Sequence, residues 1–223
     1  MRLKTTLITI VLLIITVITE ASIPSRNTNK SISFGVCYGI GSSFMDELGK
    51  KEDSFQGEES FLFALYLKKP LNPWLESQLE LQYINRKFYR CIEHPQPYVF
   101  DKDVNVEISM LRFPLSLILS SSTDPNVLAL YMGGGAAFGY PLRARMKSRL
   151  NYNTESISST DDIQDSMALP QVSAHAMLGI KYDPYIVELR FERDLNSIDL
   201  PNLEINDVVP WGLWILFGIH GRR

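Results

Sequence analysis

From residue 31 onward, apolar residues fall at every second position in eight segments, and the connections between those segments alternate between long polar stretches and very short turns. A period of two marks a strand with one greasy face and one polar face. Alternating long and short connections are what an up-and-down antiparallel barrel produces.

The first strand, 31–43, sets Ile32, Phe34, Val36, Tyr38 and Ile40 against Ser33, Gly35, Cys37, Gly39 and Gly41. After a charged stretch over 47–59, a second strand over about 60–68 places Phe61, Phe63, Leu65 and Leu67 opposite Ala64, Tyr66 and Lys68. Pro70, Leu71, Asn72 and Pro73 form a turn, because two prolines cannot donate to a ladder. The third strand, about 74–89, alternates Leu75, Leu79, Leu81 and Tyr83 with Glu76, Gln78, Glu80 and Gln82, a face too polar for an ordinary core. A longer connection containing Pro95 and Pro97 leads to a fourth strand over about 104–119. There Val104, Val106, Ile108 and Met110 share a face, but beyond Leu111 the apolar parity passes to Phe113, Leu115, Leu117 and Leu119, which predicts a bulge or a change of face.

A second short turn is centred on Asp124 and Pro125, and a fifth strand follows to about 145, with Leu128, Leu130, Met132, Phe138, Tyr140 and Leu142 opposite Ala129, Gly133, Gly135, Ala137 and Gly139. The polar stretch 147–168 reads as a loop. A sixth strand over 169–182 sets Val172, Ala174, Ala176, Leu178 and Ile180 against Ser173, His175, Gly179 and Lys181. Asp183 and Pro184 turn the chain into a seventh strand, with Tyr185, Val187, Leu189 and Phe191 opposite Glu188, Arg190 and Glu192. A loop to about 209 precedes the last strand, where Trp211, Leu213, Ile215, Phe217 and Ile219 oppose Gly212, Trp214, Gly218 and His220.

Strands of this length cross a bilayer when tilted, and eight is the smallest closed transmembrane barrel. The expected fold is all-β, an eight-stranded antiparallel up-and-down transmembrane β-barrel over 31–223, with the short turns at the periplasmic rim. A soluble exported barrel of the lipocalin kind, holding a small apolar ligand among inward-facing greasy residues, is the alternative. Strands one and five favour the lipid-facing arrangement, because their less apolar face carries Gly and Ala, as a narrow lumen requires. Tyr38, Trp74, Tyr83, Tyr140, Tyr182, Tyr185 and Trp211 suit interfacial aromatic girdles.

Residues 1–21 read as a cleaved export leader: Arg2 and Lys4, an apolar run from Leu7 to Ile18, then Thr19, Glu20 and Ala21. The apolar run falls short of the ~20 residues a spanning helix needs. Residues 22–30 form an N-terminal extension. Loss of Arg2, Lys4 and Glu20 takes the formal net charge from −3 to −4, which argues against a nucleic-acid partner. Cys37 and Cys91 are the only cysteines, and their placement predicts two free thiols. Cys91, Glu93 and His94 are too few to hold a metal.

The runs Leu111-Arg112-Phe113-Pro114-Leu115, Leu130 to Tyr140 and Val187-Glu188-Leu189-Arg190-Phe191 resemble the bacterial outer membrane β-barrel family typified by the PorT-like proteins. The resemblance implies a gram-negative outer-membrane barrel, in a family some of whose members are linked to secretion of surface proteins. The chain departs from such barrels at its end, closing on Gly221, Arg222 and Arg223 where they often finish on an aromatic residue.

Glu76, Glu80, Arg112, Lys181, Glu188, Arg190 and Glu192 are expected to form an ion-pair network that plugs the lumen, a conducting pore being the other reading. Arg143, Arg145, Lys147 and Arg149 alternate at the outer end of the fifth strand, where they could meet lipopolysaccharide phosphates or pair with Asp161, Asp162 and Asp165. Gly133, Gly134 and Gly135 lack the Lys and Ser or Thr of a phosphate loop and read as close packing. His94, His175 and His220 share no segment with a plausible Ser and Asp. The sequence therefore predicts a monomeric, non-enzymatic outer-membrane barrel without cofactors, in contact with outer-membrane lipids and working through its loops with other envelope or secretion proteins.

Overall fold

The structure, a computed structural model, describes residues 32–47, 55–93, 99–122, 127–152, 156–167, 169–200 and 205–222. The segments expected as a leader and an N-terminal extension, with His94, Pro95, Pro97, Asp124, Pro125 and Arg223, lie outside the described residues. Eight strands form a closed antiparallel ring: β1 (Ser33–Glu47), β2 (Phe55–Pro70), β3 (Leu75–Glu93), β4 (Val99–Ser120), β5 (Ala129–Tyr152), β7 (Gln171–Tyr182), β8 (Tyr185–Asp194) and β10 (Ile205–Arg222), with β10 returning to β1. Two short strands stand apart from the ring, β6 (Ser156–Asp162) on the outer end of β5 and β9 (Ile198–Leu200) on the outer end of β10.

The tight turns lie at one end. Asn72 Oδ1 accepts the backbone N–H groups of Trp74 (3.0 Å) and Leu75 (2.7 Å), so one side chain caps the β2–β3 turn. Asp183 and Pro184 alone join β7 to β8, and the Pro184 carbonyl accepts the His220 N–H at 2.8 Å, tying that turn to β10.

Toward this end the wall is apolar outside and polar inside. Phe34, Leu65, Leu115, Leu130, Leu189 and Ile215 are exposed, while Glu80, Arg112, Arg190 and Glu192 are buried. The outward apolar run on β10, from Trp211 to Ile219, spans about nine residues, the length a tilted strand needs to cross hydrocarbon. This is a membrane-spanning barrel, and a soluble barrel with a greasy interior does not describe this half. Trp74, Tyr182 and Tyr185 are exposed at the turn end, and Trp211 stacks on Phe44 at 4.2 Å near the opposite edge. Tyr38 lies within the belt, between Val36 and Ile40.

Beyond that belt the wall inverts. Phe88, Val104, Val106, Ile108 and Met146 are buried, whereas Lys87, Cys91, Asn105, Arg145 and Lys147 face out. The parity change expected in the fourth strand is this inversion, because β4 keeps one inner face throughout: Val104, Val106, Ile108, Met110, Arg112, Ser116 and Ile118 are all buried. A register shift does occur there, but β5 holds the extra residue. Ser109 pairs with Arg143 and Met110 with Pro141, leaving Leu142 as the bulge.

The outer ends also run longer than the alternation indicates. β1 reaches Glu47, β2 begins at Phe55, β3 reaches Glu93, β4 begins at Val99 and β10 begins at Ile205. The stretch expected as a loop over 147–168 is largely a hairpin, with β5 pairing β6 from Arg145↔Asp162 to Asn151↔Ser156. Polar Ser, Thr and Asp hide this strand from a hydrophobicity argument, since β6 is exposed along almost its whole length. A 3-10 turn (Gln164–Ser166) and an isolated bridge between Met167 and Ile198 then bring Ile163, Met167, Ile198 and Leu200 into the buried apolar cluster.

Candidate functional site

The lumen of the membrane half is built from alternate residues, which the period of two turns inward, with its charges on β2, β3, β4, β7 and β8. Among the described residues it buries five cationic side chains (Lys68, Arg86, Arg112, Lys181, Arg190) and five carboxylates (Glu76, Glu80, Glu188, Glu192, Asp194). The balance matters because an uncompensated charge in so dry a place costs several kcal/mol.

Arg190 Nη1 and Nη2 donate to the two oxygens of Glu80 at 3.0 and 2.9 Å, and Arg190 Nε donates to Glu188 at 2.7 Å. Gln78 and Gln82 donate to Glu80 from either side. One layer outward, Glu192 accepts from Arg86 (3.0 Å) and from Arg112, while Arg86 also reaches Asp194 at 2.9 Å and Arg112 donates to Ser173. Toward the turns, Lys181 Nζ meets Glu76 at 3.2 Å. Every one of Glu76, Glu80, Arg112, Lys181, Glu188, Arg190 and Glu192 therefore takes part in an ion pair.

Sequence reasoning missed four members. Arg86 and Asp194 lie on the same even-numbered faces as Glu80 and Glu192, so carrying the alternation further along each strand would have found them. Tyr131 donates to Glu188 at 2.8 Å. Lys68 places its ammonium 5.0 and 5.1 Å from the ring centres of Tyr66 and Tyr131. The phenol ends of those two rings reach Gly35 and Gly179, where an added Cβ would come within 2.4 Å of ring carbon. Cys37, Tyr66, Lys68, Gln78, Glu188 and Arg190 help to line a cavity of about 10 Å³, the size of one water-probe sphere.

The fold brings one histidine to a serine. His175 Nε2 lies 2.7 Å from Ser116 Oγ, both buried, although β5 runs between their strands. The intervening residue is Gly135, in register with both, and an added Cβ there would sit 1.9 Å from the Leu115 carbonyl oxygen. His220 lies at the turn end, its Nε2 3.1 Å from Asp183. Cys37 is buried and Cys91 exposed, with no disulfide between them.

Arg143, Arg145, Lys147 and Arg149 are not part of the lumen. All four project outward from the part of β5 beyond Leu142. Arg149 donates to Ser156 at 3.2 Å, and among the described residues none of the four forms an ion pair with Asp161, Asp162 or Asp165. On neighbouring β4, Glu107 accepts from Asn85 at 3.1 Å. Asp103 accepts from the Tyr89 hydroxyl at 2.7 Å, and that bond pushes the phenol up to about 12.

No family model matches the chain, and no curated protein sequence matches it. Among solved structures, the chain is similar to Ail, the attachment invasion locus protein of Yersinia pestis, at 13% identity over 87% of this chain and 100% of that one, with a TM-score of 0.43. It is similar to Neisserial surface protein A at 9% identity over 83% and 96%, with a TM-score of 0.43. It is also similar to the outer membrane protease OmpT from Escherichia coli at 10% identity over 89% and 99%, with a TM-score of 0.29. Likenesses this distant decide nothing about role. The fold rests on the closed ring of paired strands and its exposed apolar belt.

Proposed function

We propose that this chain is a monomeric, non-enzymatic barrel of the gram-negative outer membrane whose lumen does not conduct, and whose outer wall and roof engage other envelope or secretion proteins. The observation that carries the reading is the Arg190–Glu80 pair. β8 and β3 stand four strands apart in either direction round the ring, so this doubly hydrogen-bonded pair spans the lumen at its full width. An eight-stranded barrel filled by its own side chains serves through its surface. The tight turns then face the periplasm, and the long β3–β5 wall, with β6, faces outward.

The PorT-like affiliation belongs to this proposal. It is supported by Leu111–Leu115, Leu130–Tyr140 and Val187–Phe191, which in this fold supply Arg112, Tyr131, Gly135, Glu188 and Arg190 to the lumen.

Cell fractionation followed by planar-bilayer recording tests the reading. Recovery with outer membranes, heat-modifiable migration in detergent gels and a bilayer current without discrete steps are expected. Recovery in the soluble periplasmic fraction overturns the location, and regular current steps overturn the plug.

A further inference from the structure

The outward face of β5 above the belt carries a charge ladder that the plugged barrel leaves unused. Arg143, Arg145, Lys147 and Arg149 stand at alternate positions of one strand, all exposed. Successive members are two residues apart, so the four extend over about 20 Å along the strand. The register places Glu107 opposite Arg145 and Asp103 opposite Arg149, yet both carboxylates accept hydrogen bonds from the β3 side, from Asn85 and Tyr89. On the other flank, Ser158 faces Arg149 and Thr160 faces Lys147, neither of them acidic. Asp162 lies opposite Arg145 without an ion pair among the described residues, and its Oδ1 accepts the Gln164 N–H at 3.0 Å. The local carboxylates are thus directed elsewhere, and the cations remain available to an outside anion.

Height on the wall identifies that anion. Leu142, one residue below Arg143, is 52% exposed, and Phe138, on the same outer face, is 53% exposed. The ladder therefore starts where the hydrocarbon-facing surface stops and climbs away from the membrane. A phospholipid offers one phosphate at a single depth, which would engage one rung. A glycolipid with phosphates on its membrane-proximal sugars and further phosphates on the sugars above offers anions at successive heights. Guanidinium groups bind such oxygens through paired, charge-assisted hydrogen bonds.

We infer that the β5–β6 face is a binding site for a multiply phosphorylated outer-leaflet glycolipid, held by Arg143, Arg145, Lys147 and Arg149. The inference rests on the membrane orientation proposed above. A consequence is rotational anchoring: β5 and β1 stand on opposite sides of the ring, so bound glycolipid on one side fixes which face of the barrel meets a neighbouring protein.

The test uses the full mature chain, folded in zwitterionic detergent. Binding is measured to polyphosphorylated deep-rough lipopolysaccharide, to the same glycolipid after phosphatase treatment, and to inorganic polyphosphate. Four forms are compared: the parent, the variant with Arg143→Gln, Arg145→Gln, Lys147→Gln and Arg149→Gln, the charge-retaining variant with Arg143→Lys, Arg145→Lys and Arg149→Lys, and Arg193→Gln elsewhere on the exposed wall. Removal of the four charges, or of the phosphates, is expected to weaken binding at least tenfold. Arg193→Gln is expected to stay within a few-fold of the parent, the charge-retaining variant is expected to fall between the parent and the four-Gln variant because Lys keeps the charge but not the paired hydrogen bonds, and parent affinity is expected to fall steeply with salt. Binding by the four-Gln variant within twofold of the parent overturns the site. Polyphosphate binding as tight as the glycolipid overturns the lipid source. Heat-modifiable migration of the parent in the same detergent reports on the barrel separately, and its absence sinks the membrane reading before any ligand is considered.

Discussion

Arg190 and Glu80 join opposite walls of the barrel through two hydrogen bonds of 3.0 and 2.9 Å. Each is fully enclosed, so neither can recover water if its partner is lost. Arg190→Ala is expected to destabilise the fold by about 3–5 kcal/mol, because it strands the Glu80 carboxylate in a dry interior. The double variant Arg190→Met with Glu80→Met is expected to cost clearly less than Arg190→Ala, since it removes both charges together. Urea unfolding in lipid vesicles, followed by gel migration, measures both. A larger loss in the double variant would contradict the pairing.

Gly135 is the gap through which Ser116 reaches His175. A Cβ there collides with the Leu115 carbonyl oxygen at 1.9 Å, which is backbone and cannot swing aside. Gly135→Val is expected to cost roughly 1–3 kcal/mol or more from overpacking and to separate the Ser–His pair. Gly134→Ala next to it meets backbone only at 3.1 Å and points to the other face, so it is expected to cost less. Comparing unfolding midpoints of the two variants decides the matter.

The inversion of the wall makes opposite substitutions harmful in its two halves. Leu189→Arg, on the hydrocarbon face, is expected to cost about 2–4 kcal/mol in a bilayer. Beyond the belt the inside is the sensitive face: Phe88→Ala is expected to cost about 3–5 kcal/mol, while Lys87→Gln beside it is expected to stay within about 0.5 kcal/mol. Folding titrations in vesicles supply the comparison, and a tolerant Phe88 would refute an apolar upper core.

Cys91 is exposed on the outer wall and Cys37 is buried in the lumen. A membrane-impermeant maleimide added to intact cells is therefore expected to label the parent chain, to lose that label in Cys91→Ser and to keep it in Cys37→Ser. Labelling of Cys91 only after the outer membrane is opened would reverse the orientation.

Much of the membrane half was legible in the chain. Leu79 against Glu80, Leu189 against Arg190 and Ile215 against Trp214 reveal the two faces of their strands, because a strand alternates its side chains whatever it packs against. The outer half was harder to read for a physical reason. Val104, Val106, Ile108 and Met110 have the same alternation as Leu115, Leu117 and Leu119, and periodicity does not say which side is wet. β6 was hidden because Ser156–Asp162 is polar at every position but Ile157 and owes its strand form to pairing with β5.

The number and phase of the ring strands and the positions of the tight turns at Asn72 and at Asp183-Pro184 are local properties, and the order of residues alone determined them here. Inside and outside are not local. Which face met hydrocarbon, where that preference reversed along the wall, and which charges found each other depended on closing the ring, which brings together Glu80 and Arg190, 110 positions apart. Only that closure removes the enclosed side chains from solvent, and only there does a carboxylate require a particular guanidinium as its neighbour.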